Sequence, residues 1–232
     1  MCSEKRIGMT GTSSAVIFHP YFSEDYAPML ELIKPRHTAY TDKWGFDLLP
    51  VDFRKLMVKA DVELVQAEMV GYASQLLSKY NYVVWLDLDT LIWDMDVDLR
   101  TATDEIGAVR FHPHRPMATG DLFSCHFGGV KVNHLNCGAV YIKRTPFTLD
   151  FMDEWAGLAR QSPGWYSAQN AFNILAMGYG LPDLDFRWNY NYNRHGVCRK
   201  PVVKGYHGYR GLDKKMSAIE SDLRALKRWQ KN

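Results

Sequence analysis

One short segment constrains this chain more than any other: an apolar run that ends in two closely spaced carboxylates. Residues 82–86 read YVVWL, and Asp87-Leu88-Asp89 follows them directly. Such a run is typical of a strand buried on both faces of a parallel sheet. Apolar residues at helical spacing over 61–80 predict an amphipathic helix just before it. A helix that leads into a buried strand indicates an α/β fold.

Further strands are predicted along the rest of the chain. They lie at 15–18, where His19-Pro20 ends the apolar run, and at 46–49, 106–111 and 139–142. Together with the intervening helices they predict a mostly parallel central sheet with helices on both faces.

Helix boundaries are marked by prolines, glycines and capping residues. Pro35 is expected to break or kink a helix over 29–40, because proline lacks the N–H that an interior helix position donates. Thr145-Pro146 predicts the start of another helix, with threonine as its cap. A helix over 168–175 is expected to end near Gly178 or Gly180. Ser217 with Glu220 forms a capping box, which predicts the start of a last helix.

Composition narrows the class of protein. A chain of 232 residues fits one compact domain, and a formal charge of +2 is too small for a dedicated nucleic-acid binder. The four cysteines (Cys2, Cys125, Cys137, Cys198) form no CxxC pair, so free thiols are expected. No stretch approaches about 18 consecutive apolar residues. These features predict a cytoplasmic protein without a transmembrane segment.

Asp87 and Asp89 are the strongest candidates for chemistry. Alternate residues of an extended strand point to the same side, so both carboxylates are expected to share one face. Open α/β sheets bind their ligands at the carboxyl ends of their strands. Two adjacent carboxylates repel each other unless a cation lies between them, and hard oxygen ligands select Mg²⁺ or Mn²⁺. The alternative is that both aspartates only cap a loop.

The segment 82–94, YVVWLDLDTLIWD, is similar to segments of two enzyme families. It resembles the metal-binding segment of GT-A glycosyltransferases, and DLDT also fits the first motif of haloacid-dehalogenase-like phosphatases. In a phosphatase Asp87 would be the nucleophile and Asp89 the general acid. However, 86 residues precede the motif, whereas the phosphatase motif starts near the N-terminus. The late pair Asp183 and Asp185 does not follow an apolar strand, as a phosphatase would require.

The resemblance to GT-A enzymes extends over residues 15–215 and is closest to the retaining galactosyltransferase and glycogenin families. Tyr40 and the stretch 43–47 resemble the segment before their second strand, and 136–140 (NCGAV) resembles their N-x-G segment. In that segment Gly138 permits close approach of a ligand to the backbone, and Asn136 offers a donor and an acceptor to sugar hydroxyls.

A helix further along carries the family's glutamine. The relatives read acidic-Gln-acidic at this place, and this chain reads Ala168-Gln169-Asn170, so the glutamine matches and both acids are absent. Such a site is compatible with a front-face retaining mechanism, which needs no nucleophile from the enzyme.

The resemblance implies a complete site, residue by residue. Asp87, Asp89 and His207 would hold Mn²⁺, with Mg²⁺ as the alternative. Gln169, whose carbonyl oxygen would face the anomeric carbon, and Asp89 would be the catalytic residues. The nucleotide-sugar donor would contact Phe18, His19, Tyr21, Tyr40, Asn136, Gly138, Lys214 and Lys215. The acceptor would contact Trp188, Asn189 and Tyr190, in a loop where aromatic rings and amides alternate.

The implied protein is a single GT-A domain over 1–232, with a nucleotide-binding half over about 1–90, a sugar and acceptor half over about 91–215, and a C-terminal helix over 216–232. Its expected activity is metal-dependent transfer of a sugar from a nucleoside diphosphate, UDP rather than GDP, to a glycan or another hydroxyl acceptor, with retention.

Three alternatives stay open from the residues alone. An inverting enzyme would use Asp121, Asp153 or Asp185 as its base. A phosphatase would use Asp87 as nucleophile. A catalytically inactive domain would bind a sugar nucleotide without turning it over.

Overall fold

The computed structural model of the protein describes residues 14–54, 62–110, 134–161, 167–195, 197–207, 209 and 211–229. In these residues the strands are β1 (Ala15–Tyr21), β2 (Phe46–Asp52), β3 (Tyr82–Leu86), β4 (Thr90–Ile92), β5 (Ile106–Arg110), β6 (Leu135–Lys143) and β7 (Val203–Gly205). The helices are α1 (Ala27–Trp44), α2 (Val62–Leu76), α3 (Pro146–Gln161), α4 (Ser167–Tyr179), the short α5 (Tyr192–His195) and α6 (Leu212–Trp229).

The central sheet is mixed but mostly parallel. Its order is β2-β1-β3-β6-β5, which places the predicted buried strand β3 in the middle. Strand β1 pairs in parallel with β2 and with β3, whereas β6 runs antiparallel to both β3 and β5. Only β6 is therefore reversed, and the predicted sheet type is confirmed. A separate antiparallel ladder joins β4 to β7.

Helices cover both faces of the sheet, as the sequence predicts. Phe18 of β1 and Trp85 of β3 face the layer formed by α2, α3 and α4, where Trp155 lies fully buried. The alternate residues Ile17 and Val84 face the opposite side, which Tyr40 of α1 helps to fill. All five residues of β3 are buried, which explains why its sequence is apolar throughout.

Helix α3 begins and helix α4 ends where the sequence predicts. Thr145 caps α3, because its Oγ1 accepts a hydrogen bond from Thr148 N at 3.1 Å. Helix α4 ends at Tyr179, and the next residue, Gly180, has a φ of 66°, in the left-handed region that glycine tolerates.

Of the two outcomes expected at Pro35, a break or a kink, the break is wrong. Helix α1 runs from Ala27 to Trp44 with Pro35 inside it. The proline lies on the exposed side of the helix, where water can bond the carbonyl that loses its partner. Buried packing of Met29, Ile33 and Tyr40 on the opposite side holds the helix across this position.

Other boundaries also differ from the sequence prediction, since the strands expected at 46–49 and 139–142 are the longer β2 and β6. Strand β1 does not stop at His19-Pro20 but continues to Tyr21. Its pairing with β3 covers only Ala15 to Phe18, so one edge of β1 is unpaired beyond that point. Pro20 has no N–H to donate, and an unpaired strand edge tolerates a proline. Helix α6 begins at Leu212, directly after Gly211, so Ser217 lies inside the helix and does not cap it.

Two general properties complete the description of the fold. No helix within the described residues is long and apolar enough to cross a bilayer. Cys137 and Cys198 are free thiols, as predicted, whereas Cys2 and Cys125 lie outside the described residues.

A pair of buried histidines ties β1, β3, β4 and α1 together. His19 Nδ1 lies 2.7 Å from the carbonyl oxygen of Leu86, and His19 Nε2 lies 2.9 Å from His37 Nδ1. His37 Nε2 accepts a hydrogen bond from Ile92 N at 3.1 Å. One arrangement satisfies all three contacts: each ring is neutral and carries its proton on Nδ1. Burial favours that state, since it lowers the pKa of His19 to about 4.

We predict that the histidine pair stabilises the segment between Leu86 and Ile92. His37→Leu leaves Ile92 N–H and His19 Nε2 buried without partners, which should cost about 1–3 kcal/mol of unfolding free energy for each group. His37→Gln keeps one donor and one acceptor and should lose much less stability. Urea unfolding of both variants measures the difference, and equal losses in the two would contradict this role.

Candidate functional site

A cavity of about 330 Å³ opens at the carboxyl ends of β1 and β3. The residues that follow β3, the first half of β6 and the start of α4 form its walls, because β6 is antiparallel and begins at this edge of the sheet. The cavity is lined by Pro20, Tyr21, Phe22, Tyr26, Gln66, Met69, Trp85, Asp87, Leu88, Asp89, Asn136, Cys137, Gly138, Ala168, Gln169, His207 and Lys215.

The two aspartates of the DLD segment both line this cavity. Strand β3 ends at Leu86, and the chain then turns, with Thr90 N donating to the carbonyl oxygen of Asp87 at 3.1 Å. Asp87 N still donates to Gly138 O at 2.9 Å, which holds the first carboxylate beside β6. The prediction that both side chains share one side is confirmed, although a turn and not an extended strand brings them there.

The carboxylate of Asp87 lies in an environment that disfavours its charge. Burial and the neighbouring charge of Asp89 raise the pKa of Asp87 to about 7, against a smaller opposing effect of the hydrogen bond from Trp85 Nε1 at 2.9 Å. A cation beside Asp87 would relieve this cost, which is the behaviour expected of a metal-binding carboxylate.

Asp89 is paired with a lysine from the other end of the chain. Lys215 Nζ lies 2.5 Å from Asp89 Oδ2, and both side chains are largely buried, with exposed fractions of 18% and 9%. The first turn of α6 carries Lys215 into the cavity, whereas the adjacent Lys214 is exposed and does not line it. Arg210, a basic residue near them in sequence, lies outside the described residues.

The β4–β7 ladder carries His207 to the same place. Thr90, directly after Asp89, pairs with Gly205 of β7, and Tyr206 N donates to Asp89 O at 2.8 Å. A methyl group on Gly138 would lie 3.5 Å from Asp87 Oδ2 and 3.6 Å from His207 Nδ1, so both groups border one space. The described residues hold no group of three close metal-ligating side chains, so His207 borders the carboxylates without completing a preformed triad.

Asn136 and Gln169 line the cavity beside Gly138. Asn136 Oδ1 accepts hydrogen bonds from Gly138 N and from Asn189 Nδ2, each at 2.9 Å. Gln169 Oε1 accepts from Cys137 N at 3.1 Å. The Gln169 carbonyl oxygen, predicted to face the anomeric carbon, therefore already accepts a hydrogen bond from the backbone of β6.

The predicted acceptor-binding residues do not line the cavity. Trp188, Asn189 and Tyr190 are all at least nine-tenths buried. Tyr190 pairs by its backbone with β7, and Asn189 supports Asn136 from behind. Gly205 is close-packed against this support, since a methyl group there would lie 2.5 Å from Asn189 Oδ1 and 2.7 Å from His207 Nδ1. These buried residues support the cavity wall from behind and do not face the cavity.

Three of the predicted donor contacts also lie in the core. Phe18, His19 and Tyr40 are fully buried and do not line the cavity. The Tyr40 hydroxyl donates to Val97 O at 2.9 Å and accepts from Leu99 N at 2.8 Å, which fixes the chain after β4. Tyr21 does reach the cavity, at the end of β1.

The candidate bases for an inverting reaction lie elsewhere. Asp153 accepts a hydrogen bond from Ser74 Oγ at 3.3 Å on the surface, and Asp185 is exposed and caps a 3₁₀ turn by accepting from Arg187 N at 2.8 Å. Asp121 lies outside the described residues. Apart from Asp87 and Asp89, no acidic side chain in the described part of the chain lines the cavity.

Several residues that line the cavity were not predicted from the sequence to belong to the site. Tyr26 lies before α1, and Gln66 and Met69 lie on α2, so only the tertiary fold brings them to the DLD segment. None belongs to a recognisable motif. The position of Gly205 near the site could have been predicted from the sequence, because it lies two residues before His207.

Comparisons with known proteins agree on the fold. No protein-family model and no curated protein matches the sequence. Among solved structures, the chain is similar to a glycosyltransferase involved in glycosylation of the major capsid of PBCV-1, with a TM-score of 0.62 and 12% identity over 89% of this chain and 98% of that one. It is also similar to the galactosyltransferase LgtC in complex with donor and acceptor sugar analogs, with a TM-score of 0.53 and 13% identity over 92% and 95%.

A third similar structure is the bifunctional glycosyltransferase WbbM, with a TM-score of 0.59 and 12% identity. The match covers 94% of this chain and 50% of WbbM. The chain therefore has the GT-A glycosyltransferase fold, as the sequence resemblance implied, and not the fold expected of a haloacid-dehalogenase-like phosphatase.

The raised pKa of Asp87 predicts that its charge destabilises the metal-free protein. A carboxyl with a higher pKa in the folded than in the unfolded state loses stability as the pH rises from about 4 to about 7, and the full cost is present above that. Asp87→Asn, which keeps the acceptor for Trp85, should therefore raise the melting temperature in EDTA, more at about pH 8 than at about pH 5.

Asp89→Asn is the matched comparison. It removes the partner of Lys215 and should give no such gain. Thermal unfolding of both variants at the two pH values measures the effect, and an Asp87→Asn protein that melts below wild type at the higher pH would contradict the assignment.

Proposed function

We propose that this chain is a metal-dependent glycosyltransferase that moves a sugar from a nucleoside diphosphate donor, UDP rather than GDP, to a hydroxyl acceptor on a glycan or small molecule. The observation that carries the proposal is the pair Asp87 and Asp89 beside Lys215 in a cavity at the carboxyl end of the central strand. The GT-A fold supports the reaction class. The choice of UDP rests on the sequence resemblance.

The residues present fit a divalent cation. Asp87 is costly to ionise where it stands, and Asp89 holds a cationic ammonium group in the same cavity. Asp87, Asp89 and the bordering imidazole of His207 would hold Mn²⁺, with Mg²⁺ as the alternative, since a mixed oxygen and nitrogen set favours manganese. When bound, such an ion neutralises charge on the diphosphate.

The other lining residues have roles that follow from their chemistry. Lys215 is paired with Asp89 in the cavity and would donate to phosphate oxygens once Asp89 has another partner. Tyr21 and Tyr26 present aromatic surface at the same opening and would contact the base or ribose. Asn136 and Gln169, beside Gly138, would contact the transferred sugar.

Retention of configuration is part of the proposal. With no further acid among the described lining residues, the incoming hydroxyl has the departing phosphate oxygen as its proton acceptor. The bond from the anomeric carbon to that phosphate oxygen breaks, the bond to the acceptor oxygen forms on the same face, and the hydroxyl proton passes to the diphosphate. This front-face reaction needs no nucleophile from the chain.

An inactive domain that binds a sugar nucleotide is the second candidate. The observation in its favour is the absence of both acids around Gln169, where Ala168 and the buried Asn170 stand.

We predict that Mn²⁺ stimulates release of UDP from one UDP-sugar and that EDTA abolishes it. Asp89→Asn should reduce the rate by about 100-fold or more, because charge stabilisation of the leaving group is lost. Asp96→Asn, an exposed aspartate outside the cavity, is the matched control and should keep full activity. Release is measured by a coupled UDP assay over a panel of donors.

The other outcomes of that assay are equally informative. Mn²⁺-dependent UDP binding with no release from any donor would assign the chain to the inactive class. Hydrolysis of a phosphomonoester that requires Asp87 would contradict the proposal.

The two adjacent lysines provide a second test. Lys215→Met should weaken UDP binding in Mn²⁺ by about 10–100-fold, the value of a charge-assisted hydrogen bond. Lys214→Met makes the same charge change on an exposed side chain and should leave binding unchanged. Isothermal titration calorimetry measures both, and equal effects would show that only net charge matters.

A further inference from the structure

A cluster of three polar side chains lies outside the cavity, where α6 packs against the β7 segment. Asp222 Oδ2, on α6, accepts a hydrogen bond from the Tyr206 hydroxyl at 2.5 Å and another from Lys204 Nζ. The side chains of Lys204 and Asp222 are only 16% and 20% exposed, and Tyr206 is fully buried. None of the three lines the cavity, so any effect that they have on its chemistry is indirect.

The hydrogen bonds of this cluster are directional. Burial and the charge of Asp222 raise the pKa of Tyr206 well above its ordinary value, so the hydroxyl keeps its proton and donates it. Lys204 is further oriented by the ring of Trp93, whose centroid lies 4.9 Å from Nζ. Two donors that meet at one carboxylate oxygen hold the helix that carries it in one position, because hydrogen bonds weaken steeply when they are misaligned.

Asp222 lies on the same face of α6 as the lysine of the site. Lys215, Ile219, Asp222 and Leu226 follow one another at spacings of four, three and four residues, which aligns them along the helix. Ile219 and Leu226 are buried in an apolar cluster, but apolar burial is non-directional and does not by itself set the rotation of a helix. A rotation by one residue, about 100°, would exchange Lys215 for the exposed Lys214.

The contacts of Asp89 close a circuit through Asp222. Tyr206 N donates to the backbone oxygen of Asp89 at 2.8 Å, and Lys215 pairs with the Asp89 side chain. The two residues that hold Asp89 are thus joined to each other, since the Tyr206 hydroxyl binds Asp222 and Asp222 shares α6 with Lys215. A change at Asp222 therefore reaches the cavity through the position of Lys215.

We propose that Asp222 is a positioning residue, which fixes the rotation of α6 and thereby holds Lys215 against Asp89. Its consequence for ligand binding rests on the proposed function, in which Lys215 passes from Asp89 to a phosphate oxygen. A lysine that is already held in place loses less freedom when it binds, so Asp222 raises the affinity for the diphosphate without touching it.

Amine-reactive labelling of the metal-free protein tests the position of Lys215 without any nucleotide. In wild type Lys215 should be acetylated slowly and Lys214 rapidly, because the first is paired and largely buried and the second is exposed. Asp222→Asn keeps the shape of the side chain and removes its charge. It should raise the labelling rate of Lys215 relative to Lys214 about tenfold, because losing a hydrogen bond to a charged group increases the population of the displaced helix. Tandem mass spectrometry of the labelled peptide distinguishes the two lysines.

Two further variants control this experiment. Glu220→Gln makes the same change of carboxylate to amide on α6, where Glu220 is 46% exposed and faces Arg224 at 3.5 Å, and it should leave Lys215 protected. Tyr206→Phe removes one of the two donors to Asp222 and should release Lys215 by a smaller factor. If urea unfolding shows that Asp222→Asn does not fold, Tyr206→Phe provides the same test.

Calorimetric titration of UDP in Mn²⁺ measures the coupling to ligand binding. Asp222→Asn should weaken UDP binding about threefold or more when Lys215 is present, and should cause no further loss in a Lys215→Met background. Loss of general stability would instead weaken binding equally in both backgrounds.

Three results would overturn the inference. Lys215 would stay as protected in Asp222→Asn and Tyr206→Phe as in wild type, or it would be released as readily in Glu220→Gln. Equal losses of UDP affinity with and without Lys215 would also contradict it. Failure of UDP to bind wild type would refute the proposed function, and the labelling rates would then decide the positioning role by themselves.

Discussion

The burial of two carboxylates at the end of one strand is the constraint on which the site depends. Asp87 and Asp89 repel each other, and burial penalises both charges, so the pKa of Asp87 rises to about 7. The ammonium group of Lys215, on α6, balances part of this negative charge by pairing with Asp89. This arrangement favours a ligand that brings positive charge, as the proposed metal ion would.

Distant parts of the chain meet at these carboxylates through backbone pairing and through buried side-chain hydrogen bonds. The β4–β7 ladder joins Thr90 to Gly205 and so brings His207 beside the DLD turn. Asn189 connects the same loop to Asn136 on β6. The histidine pair His19 and His37 holds the opposite side of that turn through Leu86 and Ile92. The ladder and the histidine pair hold the backbone on both ends of the DLD turn, and Asn189 holds the side chain of Asn136.

The fold and the two carboxylates of the site can be predicted from the sequence because they depend on local patterns. An apolar run that ends in DLD predicts both β3 and its carboxylates, and both line the cavity. The sequence does not predict in which direction a neighbouring side chain points. Phe18 and Tyr40 point into the core, since strand parity and helix face depend on which layer covers them. The sequence likewise does not distinguish Lys215 from Lys214, because which of them faces the cavity depends on how α6 is rotated about its axis. That helix starts at Leu212 and not at the predicted Ser217.

We propose above that Asp87 and Asp89 hold the metal ion of a sugar-nucleotide site. A crystal structure with Mn²⁺ and UDP, with anomalous scattering recorded at the manganese edge, tests it most directly. We expect one strong peak between the two carboxylates and the diphosphate, with Lys215 moved from Asp89 to a phosphate oxygen. Ordered UDP with no peak at this position, or with the Lys215–Asp89 ion pair intact, would contradict it.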